Sequence, residues 1–436
     1  MRNVLRKVLS LLLAATILLS IGGCASGTQS TTTQAAVQNT TAATTAKPAE
    51  KITLSMWESD PLWEDQARAR VANIEEHFEN IKIELEIKTT DQYPSLLNTA
   101  IQAGACPDIF YTNGTKDAVA KSANSMGALM DLTPYIDLTG FDPALTGVLW
   151  IDGKLLTSPG AYMATRAVYY NKRLFRENGW EVPKTLSEFE ALCDQIIAET
   201  GMVPVQTSMM DGWLCVFTMD LVLAAVSPDF MQEYENGTAT LSDPRLLAAF
   251  KKFEEWAAKG YFGDNYKSID RPGFVMNFAK ENTPMCFSGS WNMSVFPQSN
   301  DQLELGAFHI PGPTGKTALI ITPSCGYSIY TKTKYPEECI SVLQHLNSTE
   351  SLQMFLDITG ELPARQGLTP SSELGVQVGQ ADVMLQSIME LIGWWPKEGE
   401  EPRLAWNEDA VKWIGGQLTI EEFLGQLDSM QDYSLR

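Results

Sequence analysis

Eleven tryptophans and a set of planar polar side chains carry most of the chemistry that this 436-residue chain could do. Flat aromatic rings stack on C–H-rich faces, and Asp, Glu, Asn and Arg present several in-plane hydrogen-bonding atoms to a rim of hydroxyls. Some of these residues fall where a loop leaves a predicted element. Trp57 and Glu58 close a strand-like run over residues 52–56, and Asn113 follows a short apolar run over 107–111. Asp211 and Trp213 lie in a loop after residues 203–207, suited to accept a hydroxyl and to stack. Other chemistries lack raw material. The three histidines, His77, His309 and His345, stand far apart, which leaves neither a zinc cluster nor a Ser-His-Asp triad to build. No metal and no cofactor are expected.

One cysteine has a chemistry of its own. Arg2, Arg6 and Lys7 precede an apolar run over residues 8–21, and the segment ends Ile21-Gly22-Gly23-Cys24. The run is short of the about 20 residues that a spanning helix needs. It reads as a secretory signal over 1–23 whose end resembles the bacterial lipobox, with Cys24 taking up lipid. Two acyl chains, palmitate among them, convert weak adsorption into stable anchoring, at the extracytoplasmic face of a cell membrane. Residues 24–50 are small and polar and predict a disordered tether. The other six cysteines are dispersed without a C-x-x-C pair, so disulfides and buried thiols both stay open. A net charge of −21 argues against nucleic acid and against direct binding to anionic lipid.

The elements that position these residues are α/β. The run at 52–56, the alternating Ile81-Lys-Ile-Glu-Leu-Glu-Ile87 and the run at 107–111 are separated by helical stretches, the pattern of a parallel sheet with crossover helices. Ligands of such sheets sit beyond the carboxyl ends of the strands, here Trp57 to Asp60 and Thr112 to Gly114. Capping boxes at Thr185-Leu-Ser-Glu188 and Thr419-Ile-Glu-Glu422, Asp243-Pro244 and Pro336 open later helices. Some 386 residues follow the tether, more than one hydrophobic core accommodates, which predicts two lobes.

In their order along the chain, several stretches resemble the extracellular solute-binding proteins of ABC transporters, in the sugar-binding branch that includes maltose-binding protein. They are Tyr93 to Gly104 with Pro107-Asp108, Leu129-Met-Asp-Leu-Thr-Pro-Tyr-Ile136, Asp152-Gly-Lys-Leu-Leu-Thr-Ser-Pro159, Tyr169-Tyr-Asn-Lys-Arg-Leu-Phe175, Phe287-Ser-Gly-Ser-Trp-Asn292 and Gly360-Glu-Leu-Pro-Ala-Arg365. Leu156 and Ser158 depart from the common form. The resemblance implies a type II periplasmic-binding-protein-like fold, each lobe a sheet flanked by helices, with the ligand in the interlobe cleft. It puts crossovers near Arg166 and Ala318, so that lobe one is 51–165 with 318–370 and lobe two 166–317 with 371–436. It also implies Trp291 and Trp406 as stacking residues and Arg166 as a charged side chain reaching the cleft. Trp63, Trp150, Trp180, Trp256 and Trp413 are read as packing residues.

The function implied is a monomeric, non-catalytic binding component that delivers a carbohydrate to the transmembrane subunits of an ABC permease. Aromatic candidates outnumber basic ones, which favours a neutral oligosaccharide over a phosphorylated or acidic one. A secreted glycoside hydrolase would need two carboxylates about 5 to 9.5 Å apart in a hydrolase motif, which is not seen. A receptor that presents ligand to a sensor kinase would share every feature named. A tether keeps the binding unit concentrated at the membrane, a need greatest in a Gram-positive-type envelope. Cys24→Ser protein is expected to bind ligand normally while being shed or left unprocessed; a variant still fully membrane-bound after signal cleavage contradicts the lipid anchor.

Overall fold

The structure, a computed structural model, describes residues 50–114 and 118–436. Cys24, the signal segment and nearly all of the tether lie outside the described residues. Among the described residues the strands are, in chain order, β1 (Ile52–Glu58), β2 (Ile81–Ile87), β3 (Ile109–Tyr111), β4 (Trp150–Ile151), β5 (Lys154–Leu155), β6 (Pro159–Asn171) and β7 (Val205–Gln206). They continue as β8 (Met285–Gly289), β9 (Leu305–Phe308), β10 (Ala318–Cys325), β11 (Tyr327–Ile329), β12 (Leu362–Pro363) and β13 (Val383–Gln386).

Two sheets organise the fold. The smaller has order β11-β3-β1-β2, with β1 parallel to both β2 and β3 and β11 antiparallel to β3. The larger has order β13-β10-β6-β8-β7, and β9 and β12 also pair with β6. The parallel core β2-β1-β3 is the predicted crossover pattern: helix Glu64–His77 joins β1 to β2, and helix Tyr93–Gln102 joins β2 to β3. In β2 the alternation buries Ile81 and Ile83 while Lys82 and Glu84 face water.

Helix starts follow their sequence signals. Thr419 and Glu422 form the reciprocal capping box. Thr185 caps its helix through the Glu188 N–H, but Glu188 reaches back to the Lys184 N–H, one residue early. Asp243 accepts from the Arg245 N–H. Helix Gly212–Val226 is apolar nearly all round and, Trp213 and Val226 apart, is buried along its length, as such a helix must be in water.

The chain passes between the sheets where β6 begins and β10 ends. The Ser158 N–H donates to the Tyr327 carbonyl, its carbonyl accepts from the Gly326 N–H and its hydroxyl from the Tyr327 N–H, while Cys325 pairs with Pro159. Arg166 lies midway along β6 and Ala318 at the opposite end of β10 from that passage. The two segments approach so closely that a Cβ on Gly160 would stand 2.0 Å from the Ser324 hydroxyl. Helix Pro336–Leu346 packs in the core of the smaller sheet, whereas Leu352, Phe355 and Leu356 of helix Thr349–Thr359 join the core of the larger one. The six described cysteines are all free thiols, and all but Cys106 are buried.

Candidate functional site

A cavity of about 370 Å³ lies between the carboxyl edge of the smaller sheet and the face of the larger. Its size falls in the range of small-ligand sites. The end of β1 supplies Glu58, Ser59 and Asp60, and the segment after β3 supplies Asn113. The strand-end rule therefore located one wall. The floor comes from the strand pair β6–β10: Tyr162, Ala164 and Arg166 alternate along β6, with Thr322 and Ser324 on β10. A strand shows alternate residues to one face, so the register that pairs Ile320 with Arg166 and Thr322 with Ala164 sets four of the five, and Ser324 follows where that register shifts. The far wall comes from helix starts and a turn of the larger sheet's side, through Trp213, Arg271 and Trp291.

Trp291 and Trp213 stack with ring centroids 5.7 Å apart and an interplanar angle of 30°. Phe217 meets both edge-on, at 4.7 and 4.3 Å. The turn that presents Trp291 explains its glycine. A Cβ on Gly289 would lie 2.1 Å from the indole ring, so only glycine lets the ring fold back over the strand end. Trp291 is 8% exposed, and its indole N–H has no partner among the described residues. Trp213 is 37% exposed and offers the open ring face.

The polar groups are mostly paired before any ligand arrives. Glu58 accepts from the Tyr327 hydroxyl, which in turn accepts from Arg70 at 2.8 Å, and Arg70 stands 3.7 Å from Glu58. Burial pushes the Glu58 carboxyl above the usual range, with Arg70 and the Tyr327 hydroxyl pulling the other way. Asp60 pairs with Arg271, whose second nitrogen donates to Asn292 Oδ1 at 3.1 Å. Arg166 donates to Thr322 Oγ1 at 2.9 Å and faces Asp220 at 3.5 Å. Three more bonds join the same two sides: the Trp63 indole N–H to the Trp291 carbonyl at 3.0 Å, Gln66 to Ser294 at 2.8 Å, and Lys121 to Glu401.

Of the residues singled out from sequence, Glu58, Asn113, Arg166, Trp213 and Trp291 line this cavity. Three do not. Trp57 is next to Glu58 on a strand, so its side chain leaves from the opposite face; its indole N–H meets Glu86 at 3.2 Å beneath the Lys88 ammonium. Asp211 caps helix Gly212–Val226 by accepting from the Leu214 N–H at 2.7 Å. Trp406 is 1% exposed, packed against Phe250 and Phe423, with its indole N–H on the Gly212 carbonyl. It is a core residue.

Trp63 goes the other way. It was assigned to packing, yet it lines the cavity and stacks on Tyr162 at 5.7 Å and 30°. Tyr162 could have been found by stepping back along β6 from Arg166 in twos. Arg70 and Arg271 carry no sequence signal, because Arg70 lies on a helix among other charged residues and Arg271 opens an otherwise apolar one, and each reaches the cleft only through the packing of its helix.

Behind the floor lies Glu361, fully buried, in the turn leading to β12. Among the described residues neither of its oxygens makes a hydrogen bond of ordinary geometry. Burial pushes its carboxyl up to about 8, against the weaker pull of the Ser290 hydroxyl and Arg166. The folded state thus holds this proton more tightly than the unfolded chain. Its contribution to stability is full below about pH 4.5 and is lost as pH rises through about 8. Glu361→Gln should therefore melt near the wild type at pH 4 and above it at pH 8, by on the order of a few kcal/mol. Parallel melting curves at the two pH values contradict the assignment.

Comparison with known proteins places these features in context. A profile of the family described as bacterial extracellular solute-binding protein matches residues 69–378. The chain is 23% identical over 297 residues to the multiple sugar-binding protein of Streptococcus mutans, covering 66% of this chain and 70% of that one. It is 26% identical over 356 residues to an uncharacterised ABC transporter extracellular-binding protein of Pyrococcus horikoshii, covering 79% of each. Among solved structures, a sugar transporter protein of Bacillus licheniformis in complex with stachyose superposes with a TM-score of 0.65 at 17% identity, over 88% of this chain and 100% of that one. A solute-binding protein of Thermotoga lettingae bound with α-D-tagatose gives 0.67 at 16%, over 86% and 98%. Likeness at this level of identity shows a common fold.

Proposed function

This chain belongs to the bacterial extracellular solute-binding proteins, and we propose that it binds a neutral oligosaccharide in the cleft and delivers it to an ABC permease, with no chemistry of its own. It acts as a monomer held by lipid on Cys24 at the outer face of the cell membrane. The observation that carries the ligand assignment is the stacked pair Trp213 and Trp291 on a wall facing paired carboxylates and guanidiniums. Such pairs keep oxygen lone pairs and N–H groups available to hydroxyls. The names of the relatives in Streptococcus mutans and Bacillus licheniformis support the same ligand class.

The preference for a neutral ligand rests on new ground. Arg70 and Arg271 join Arg166 in the cleft, so basic groups are no longer scarce there. Each is compensated: Arg70 by Glu58, Arg271 by Asp60 and Arg166 by Asp220. An anionic ligand would have to displace one of those carboxylates, at the cost of leaving a buried charge unpaired. The lobes close by differential affinity, the ligand favouring the state in which both sides touch it.

A thermal-shift and calorimetric screen against neutral di- to tetrasaccharides, uronates and sugar phosphates tests the reading. Stabilisation by neutral oligosaccharides is expected, and stabilisation by phosphate esters alone overturns it. Trp213→Ala should weaken the binding of the best sugar by at least about tenfold, about 1.4 kcal/mol, with little change in melting temperature because the ring is partly exposed. The equivalent change at Trp291 is a poorer test, since removing a buried tryptophan costs about 3–5 kcal/mol of stability by itself.

A further inference from the structure

Asp220 does not line the cleft, yet it is the one carboxylate in the middle of helix Gly212–Val226, and it is fully buried. An ionised carboxyl is kept inside a protein only when it is paired and hydrogen-bonded. Here one oxygen accepts from the Ser387 hydroxyl at 2.7 Å and the other from the Ile388 N–H at 2.9 Å. The Arg166 Nε stands 3.5 Å from it.

Arg166 is itself only 3% exposed, and its guanidinium lies against two adjoining rings, 4.5 Å from the centroid of Phe217 and 4.8 Å from that of Trp291. A cation over an aromatic face both attracts and orients the ring. The contacts thus run without a break from Ser387 and Ile388 through Asp220 and Arg166 to Trp291, and from Trp291 to the open face of Trp213.

We infer that Asp220 is a positioning residue for ligand binding: by anchoring Arg166 from behind, it fixes the pose of Trp291 and so of the stacking wall. This rests on the saccharide reading above for its effect on affinity, though not for its effect on Trp291. The other titratable groups that face Arg166 are Glu361, Glu390, Tyr162 and Tyr169. Glu361 is held protonated at neutral pH by burial, and Glu390 is paired with Arg403, which leaves Asp220 as the counter-ion. Burial raises the Asp220 carboxyl above its ordinary range while Arg166 pulls it down, so acidification should weaken the anchor before surface carboxylates titrate.

The test uses the purified full chain and two signals. One is the indole ¹H–¹⁵N resonance of Trp291 without ligand, assigned by its loss in Trp291→Phe. The other is the dissociation constant of the best saccharide from the screen. Asp220→Asn should move the Trp291 resonance, remove its shift between neutral and mildly acidic pH, and weaken binding by roughly tenfold or more. In an Arg166→Met background the same substitution should do nothing further to either signal. Should Asp220→Asn not fold, Ser387→Ala, which removes one donor to the carboxylate and keeps both charges, should shift the resonance and weaken binding severalfold. An unmoved resonance, or effects that add fully to those of Arg166→Met, overturns the inference. A wild-type protein that binds no saccharide but shows the predicted resonance changes refutes the ligand class and leaves the positioning role standing.

Discussion

Everything in the cleft depends on the pairing of β6 with β10. These antiparallel strands lie in the larger sheet, and at their shared end the chain passes to the smaller one. The register that pairs Ile320 with Arg166 and Thr322 with Ala164 turns Tyr162, Ala164 and Arg166 toward the cavity with Thr322 beside them, and it shifts at Ser324 before Cys325 meets Pro159. A slip of one residue would point that whole set the other way. The floor of the site and the passage between sheets are thus one piece of backbone, so the proposed ligand would rest on the segment that joins the two sides.

The two sides meet through polar groups chosen for geometry more than for strength. Asp60 with Arg271, the Trp63 indole with the Trp291 carbonyl, and Gln66 with Ser294 span the cleft. Each is close enough to hold a closed arrangement, and each can be exchanged for water on opening at modest net cost. Stacking rings and prepaired charges line the cleft on either side, and these bridges set the distance between the two sides. Glu361 and Asp220, buried behind the floor, belong to the larger sheet's side and stay out of reach of ligand.

The sequence revealed the β1–β2–β3 unit, several helix starts and the type II fold, because those depend on local periodicity, capping and a shared order of short motifs. Glu58 and Asn113 were legible from strand ends, and Trp291 from its Gly-Ser-Trp turn. Trp406 and Trp63 were misassigned for opposite reasons. Trp406 lies on a helix whose buried face is decided by Phe250, far away in sequence, and by Phe423 on the next helix, whereas Trp63 sits on a short turn after Asp60 that only the tertiary fold brings against Tyr162. Asp211 looked like a loop acid and is a helix cap. Arg70 and Arg271 show why charged cleft residues on helices escape a reading from sequence: whether a helix end or face points into a cleft is decided by how the helix packs, which local sequence does not reveal.

Small-angle X-ray scattering of the protein with and without a saturating saccharide that calorimetry shows to bind tests the central claim, that ligand is held by bringing both sides of one cleft together. The account predicts a smaller radius of gyration with ligand, and a failure to contract fully in Arg271→Ala, which loses the bridge to Asp60. An identical scattering profile with and without bound sugar would contradict it.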